Sequence, residues 1–156
     1  MTATGSAHLA TIVRYYDGCS TGDIDTITAT LDPDVCHYFL APNPASDAIR
    51  GAAALAAFWQ RVQRRIDGHW LVDQVVGDGR DRAVIEWSLY WTRTDGSPRV
   101  ITRGAEWFEF RDGRISEIRS YYQQHPQTTE LSDFAYEARG YSRLGAERSA
   151  IHPGVR

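Results

Sequence analysis

The chain of 156 residues contains no lysine: all 17 of its cationic side chains are arginine. That absence excludes Schiff-base chemistry on a carbonyl or a pyridoxal group, which needs a primary amine. It also excludes a phosphate-binding loop, whose motif is completed by a lysine. Cysteine is scarce as well, and Cys19 and Cys36 cannot form a disulfide framework. No stretch approaches the roughly 18 uninterrupted apolar residues of a membrane span, and the first thirty residues lack a basic start followed by an apolar run. The expectation is a soluble cytoplasmic protein with reduced thiols and no membrane partner. A net charge of −3 supplies no basic field for a nucleic acid. Arg61, Arg64 and Arg65 do cluster, but at i, i+3, i+4, the spacing of a solvated helix face.

Metal and cofactor signatures are also missing. There is no His-Glu-x-x-His, no cysteine pair at ligand spacing, no Gly-x-Gly-x-x-Gly and no Gly-x-Ser-x-Gly. No metal and no cofactor are expected. Proton transfer is left to 5 His, 20 Asp and Glu, and 8 Tyr.

What is present fits one domain over residues 1–125 with an extension over 126–156. Leu9, Ile12, Val13 and Tyr16 recur at helical spacing, predicting a helix over 6–21 with Ser6 as its N-cap and Gly22 as its stop. Asp23 can cap a second short helix carrying Ile24, Ile27 and Leu31, which Pro33 ends. Val35–Leu40 reads as a strand, 41–50 as a loop, and Ala52–Arg65 as an amphipathic helix with Leu55, Phe58, Trp59 and Val62 on one side. Four strands follow at 70–76, 83–92, 99–110 and 115–124. Gly77-Asp78-Gly79, Asp95-Gly96 and Asp112-Gly113 separate them as hairpin turns. In the tail, a short helix is expected at 130–138. Phe134, Tyr136 and Tyr141 make the segment too aromatic for a disordered end, so it should pack on its own subunit or a partner, at the cavity mouth. Helices first and strands afterwards indicate an α+β fold, with a concavity between the sheet and the long helix.

The aromatic first helix, the Gly22-Asp23-Ile24-Asp25 junction, IRGAAALAAFW at 49–59 and GAEWFEFRDGRISEIRSYY at 104–122 carry a resemblance. Over about residues 8–125 the chain resembles the NTF2-like fold, and more narrowly the SnoaL-like and ketosteroid-isomerase-like small enzymes. The resemblance implies a cone of N-terminal helices packed on a curved antiparallel sheet around an apolar pocket. It implies cofactor-independent acid–base chemistry on a small hydrophobic metabolite, with isomerase, cyclase, dehydratase (lyase) or epoxide hydrolase activity. The same fold also hosts non-catalytic small-ligand binders, which is the alternative reading. In the isomerase pattern the oxyanion-hole tyrosine falls on Tyr15 and the protonated acid on Glu106. The position of the general-base aspartate holds Phe39 instead, and the nearest titratable group on that face is His37, two residues earlier.

Strand alternation puts Glu106 on one face with Thr102, Gly104, Phe108 and Phe110, and groups Ile118, Ser120, Tyr122 and Gln124. On the strand between, matching to the isomerase pattern turns Glu86, Ser88 and Tyr90 inward. The opposite register turns Trp87, Leu89 and Trp91 inward, and periodicity does not choose. Glu106, between Ala105 and Trp107, is expected to have a raised pKa suited to donating a proton or a hydrogen bond near neutral pH, with help from Tyr15, while His37 or Glu86 accepts the proton. The catalytic candidates are Glu106, His37, Tyr15 and Glu86. Trp59, Tyr90, Tyr122, Phe39, Ser120 and Phe108 are candidate substrate contacts, and Asp73 is a reserve carboxylate. Each has an ordinary alternative: core packing for the aromatics and His37, surface or ion-pair roles for the acids. Apolar residues on the outer sheet face lead us to expect a homodimer through the sheet.

Overall fold

The first two helices, α1 (Ala3–Thr21) and α2 (Ile24–Thr30), meet at a reversal that two residues enforce. Gly22 takes φ = 69°, a region closed to most side chains. Asp23 then caps α2 by accepting the backbone N–H groups of Asp25 and Thr26 at 3.0 and 3.2 Å. The computed structural model describes residues 3–43 and 46–155, so Pro44, within the expected loop, lies outside the described residues. The first helix begins at Ala3 rather than at Ser6, and Ser6 is therefore not its cap.

The strands are β1 (Leu31–Phe39), β2 (Ile49–Arg50), β3 (His69–Gly77), β4 (Arg82–Trp91), β5 (Val100–Arg111) and β6 (Arg114–Tyr122), with α3 (Ala52–Ile66) between β2 and β3. The last four form the antiparallel meander that the turn residues predicted. Asp112 and Gly113 both have positive φ, as an Asp-Gly hairpin turn requires. Two further features complete the sheet. The expected loop contains the two-residue β2, and β1 joins β6 in parallel, giving the order β2-β1-β6-β5-β4-β3. The parallel pairing is what brings His37 beside Ile118 and Phe39 beside Ser120.

The concave face of the sheet packs on α1 and α3. Ile12, Tyr15, Tyr16 and Cys19 from α1 and Leu55 and Ala56 from α3 are buried against Val72, Ile85, Phe108 and Ile118. The result is the three-helix, mixed-sheet α+β cone.

The convex face belongs in part to the tail. Leu71, Tyr90 and Ile101 form a separate buried cluster there. Thr129 N–H bonds Ile101 O at 3.0 Å, and the Arg103 guanidinium sits 3.8 Å from the Tyr136 ring centroid. Farther on, Ser149 Oγ donates to Val72 O at 2.6 Å and His152 Nδ1 accepts Val72 N–H at 3.0 Å, covering the backbone of edge strand β3. His152 Nε2 also reaches Asp17 on α1, 2.9 Å away. The tail thus wraps the outer face and the β3 edge, and among the described residues of 126–156 only Pro126 lines the cavity. The helix expected at 130–138 does not form. One 3-10 turn, Glu137–Arg139, stands there, while Phe134, Tyr136 and Tyr141 pack edge-on against one another. On the rest of the convex face Tyr38, Trp107 and Tyr121 remain exposed. No helix among the described residues is long and apolar enough to cross a membrane.

Candidate functional site

Between the concave face of the sheet and α3 lies a cavity of about 570 Å³. Its walls are rings: Phe39, Phe58, Trp59, Trp70, Trp87 and Tyr122, with Arg65, Arg93, Asp95 and His125 around it. A second hollow, of about 670 Å³, lies at the other end of β3 beside His8 and Gly77, away from Glu106.

The register of β4 settles which side chains face inward. Ile85 pairs with Glu106, Trp87 with Gly104 and Leu89 with Thr102, so Ile85, Trp87 and Leu89 share the face of Glu106. Gly104 makes this arrangement fit: a Cβ there would stand 2.6 Å from Trp87 Cζ2 and 2.8 Å from Tyr122 Cβ. The indole lies over the glycine and meets the Tyr122 ring edge-on, with centroids 5.3 Å apart.

Glu106 reaches the cavity from β5 and is only 5 % exposed. Its Oε2 accepts the Tyr16 hydroxyl at 2.5 Å and its Oε1 accepts the Ser120 hydroxyl at 2.6 Å. Burial opposes the carboxylate and raises the pKa to about 7, while the two hydrogen bonds pull the other way and offset only part of it. Tyr16 is itself pushed well above the usual phenol value, first by burial and then by the neighbouring Glu106 charge, so it stays a donor.

His37 is wholly buried. Its Nε2 lies 2.6 Å from Ser120 Oγ and 3.9 Å from Glu106 Oε1. Burial lowers its pKa to about 3, which makes it a neutral imidazole at any ordinary pH. As a base in contact with substrate it is in the wrong place, because it stands behind Ser120 and Phe39 rather than in the cavity wall.

Residues 12–118, more than half of the chain, match the SnoaL-like domain. The chain belongs to the SnoaL-like domain family. In structure this SnoaL-like chain is similar to a protein of unknown function with a cystatin-like fold from Methylobium petroleophilum PM1. The two share 34 % identity and a TM-score of 0.69 over 92 % of this chain and 96 % of that one. It is also similar to a proposed polyketide cyclase from Xanthomonas campestris pv. campestris, at 26 % identity and TM-score 0.63 over 78 % of this chain and 93 % of that one. An M. tuberculosis LEH-like epoxide hydrolase shares the fold at 24 % identity and TM-score 0.62, covering 76 % of this chain and 84 % of that one. The chain matches none of the curated proteins with which it was compared.

Several sequence expectations for the SnoaL-like site need correction. Tyr15 does not reach Glu106. It accepts the Trp59 indole N–H at 2.6 Å and packs edge-on against Phe108, and the neighbouring Tyr16 holds the carboxyl instead. Both tyrosines are buried on α1, so amphipathic spacing alone could not separate them. Glu86 and Tyr90 are on the convex face, because the Trp87 register prevails. Glu86 is exposed and takes a hydrogen bond from the Tyr141 hydroxyl, and Tyr90 is buried beneath the tail. Phe108 is core, wholly buried against Tyr15 and Phe110.

Asp73 is the extra residue of a β-bulge, since Val72 pairs with Trp87 and Gln74 with Glu86. It too turns to the convex side. There it accepts Ser142 N–H and Oγ–H, each at 2.8 Å, and the Ser88 hydroxyl, with Arg103 3.5 Å away. It fastens the tail and does not reach the cavity. Trp59, Tyr122 and Phe39 line the cavity as expected, and Ser120 bridges Glu106 and His37. Among the described residues no three His, Cys, Asp or Glu side chains gather where a metal ion could sit.

Proposed function

We propose that the protein is an acid–base enzyme acting on a small apolar molecule, with Glu106 as the group that takes and returns the proton. The observation that carries this reading is a buried carboxyl with a pKa of about 7 facing a cavity walled by aromatic rings. Such a group is divided between acid and base near neutral pH, where proton transfer in either direction is most effective. Tyr16 and Ser120 stabilise its ionised form as the proton leaves, and burial favours the neutral form as the proton returns. The rings exclude water and bind an apolar body. Carboxyl, phenol and hydroxyl suffice for this chemistry. Removal of a proton from carbon (isomerase or cyclase chemistry) and activation of a hydroxyl (epoxide opening) both fit the same arrangement.

The reading is tested without knowing the natural substrate. Hydrogen–deuterium exchange at the carbon beside the carbonyl of 1-tetralone reports proton abstraction, and hydrolysis of styrene oxide reports water activation. Wild type should catalyse at least one, with a rate limb near pH 7, and Glu106→Gln should lose about 10²–10⁴ of it. Binding of both probes with no turnover at any pH would leave a ligand-binding protein and overturn the proposal. The expected homodimer belongs to the same proposal, and its interface would be the patch of Tyr38, Trp107 and Tyr121 that the tail leaves exposed.

A further inference from the structure

Glu106 and His37 are joined through a single hydroxyl. The Ser120 oxygen lies 2.6 Å from each, whereas the direct separation of 3.9 Å is too long for a hydrogen bond. A serine hydroxyl has one hydrogen to give. Two arrangements follow. If His37 carries its hydrogen on Nε2, it donates to Ser120, Ser120 donates to Glu106, and Nδ1 is left as a bare acceptor. If the hydrogen is on Nδ1, Ser120 must turn toward Nε2, Glu106 Oε1 loses its donor, and a buried N–H is orphaned, because Nδ1 has no hydrogen-bond partner. Losing that donor is the larger penalty, since a bond to a carboxylate is about twice as strong as a neutral one. The ring cannot readily turn to escape the choice. It stacks on Phe39 at 4.1 Å with 12° between planes and leans on Trp59 at 5.7 Å.

We propose that His37 is a positioning residue that acts on Glu106 through Ser120: its Nε2–H holds the serine oxygen and commits the one serine proton to the carboxylate. The inference builds on the proposed role of Glu106 and adds how its strength is set. The other titratable groups around the carboxyl are Tyr15, Tyr16 and Cys19 from α1 and Tyr122 from β6, all pushed upward by burial and so neutral near pH 7. From β4, the facing Ile85 and Trp87 carry no charge. Hydrogen bonds from Ser120 and Tyr16 are what favours the ionised form. The histidine therefore controls one of two hydrogen bonds that keep the base usable.

The test reads Glu106 directly, by carboxyl carbon NMR of protein labelled at the glutamate side chain, with the resonance assigned by Glu106→Gln. Ser120→Ala should raise the Glu106 midpoint by about one pH unit, and His37→Leu, which leaves the serine hydroxyl on Glu106 but removes the Nε2–H that polarises it, by a smaller part of that shift. His37→Gln, whose amide N–H can still donate to Ser120, should restore a midpoint close to wild type. An unmoved midpoint in His37→Leu, or an equal shift in His37→Gln, overturns the proposal. Nitrogen NMR of wild type provides a check that needs no core substitution: His37 must show a protonated Nε2 and a bare Nδ1, and the opposite tautomer overturns it as well. Turnover enters none of these readings. An inactive protein with shifted midpoints refutes the acid–base function alone, and an active protein with unmoved midpoints refutes the positioning role alone.

Discussion

Tyr16 donates its phenolic hydrogen to Glu106 Oε2 at 2.5 Å, joining two residues 90 positions apart. The bond holds the carboxyl in the cavity lining, and it separates the roles of two adjacent tyrosines. Tyr16→Phe should raise the Glu106 midpoint above about 7, because it removes one of the two hydrogen bonds that lower it. The pH–rate limb should move to higher pH with it. Tyr15→Phe should leave the limb in place and cost about 0.5–1.5 kcal/mol of stability through the lost Trp59 bond. Paired pH–rate profiles and urea unfolding check both.

Glu106 and His37 give the stability curve two opposed slopes. Folded Glu106 keeps its proton up to about pH 7, against 4.5 for an ordinary glutamate. The folded chain therefore binds more protons than the unfolded chain between those values, and stability falls by about 3 kcal/mol as pH rises through them. Folded His37 stays neutral down to about pH 3, against 6.5 for an ordinary histidine. There the unfolded chain binds more protons, and stability falls by about 5 kcal/mol as pH drops through that window. The slopes mask each other where the windows overlap. Urea unfolding of Glu106→Gln should unmask one: relative to wild type the variant should gain about 3 kcal/mol between about pH 4 and pH 8. A constant difference would argue against the raised carboxyl.

Asp73 should behave as a structural anchor. Asp73→Ala deprives Ser142, Ser88 and Arg103 of a buried acceptor, and a loss of about 3–5 kcal/mol is expected. The tail should then be cut by protease near Ser142 at a concentration that spares wild type. Unchanged urea unfolding and unchanged proteolysis would contradict the anchoring role.

Glu86→Gln provides the matched control for Glu106→Gln. Its carboxyl is on the convex face beneath Tyr141, so turnover should stay within about twofold of wild type. A loss comparable to that of Glu106→Gln would mean that β4 presents its other face to the cavity.

Gly104→Ala tests the same register from the inside. The new methyl group would overlap the Trp87 indole and Tyr122 Cβ, displacing a cavity wall at a cost of about 1–3 kcal/mol. Weaker 1-tetralone binding should accompany the loss. Unaltered Trp87 fluorescence in the variant would contradict the packing.

Much of the fold could be read from local signals. The Asp23 cap, the Asp112-Gly113 turn and the alternation of β5 each depend on residues near in sequence, and each formed as read. Glu106 was legible for a related reason: a carboxyl on an inward position of an aromatic strand cannot avoid desolvation. What failed depended on partners far away. Trp87 and Glu86 were equally fit to face inward until Gly104, across the strand pair, offered room for an indole. Tyr15 and Tyr16 differ by one step around a helix, and only the position of β5 decides which meets the acid. Asp73 became an anchor because the tail, some seventy residues on, brought Ser142 to it.

The sequence by itself therefore determined the chemical repertoire, the α+β order and the carboxyl in the apolar strand. The lack of lysine excludes Schiff-base chemistry and a phosphate-binding loop, and leaves acids, phenols, imidazoles and two thiols as the groups able to exchange a proton near neutral pH. The tertiary structure decided which of those groups meet. The parallel pairing of β1 with β6 brought His37 to Ser120, and the packing of α1 on the sheet brought Tyr16 to Glu106. The reason is physical: residue identity fixes what a side chain can donate, accept or bury, whereas a hydrogen bond of 2.5 Å depends on where distant elements come to rest.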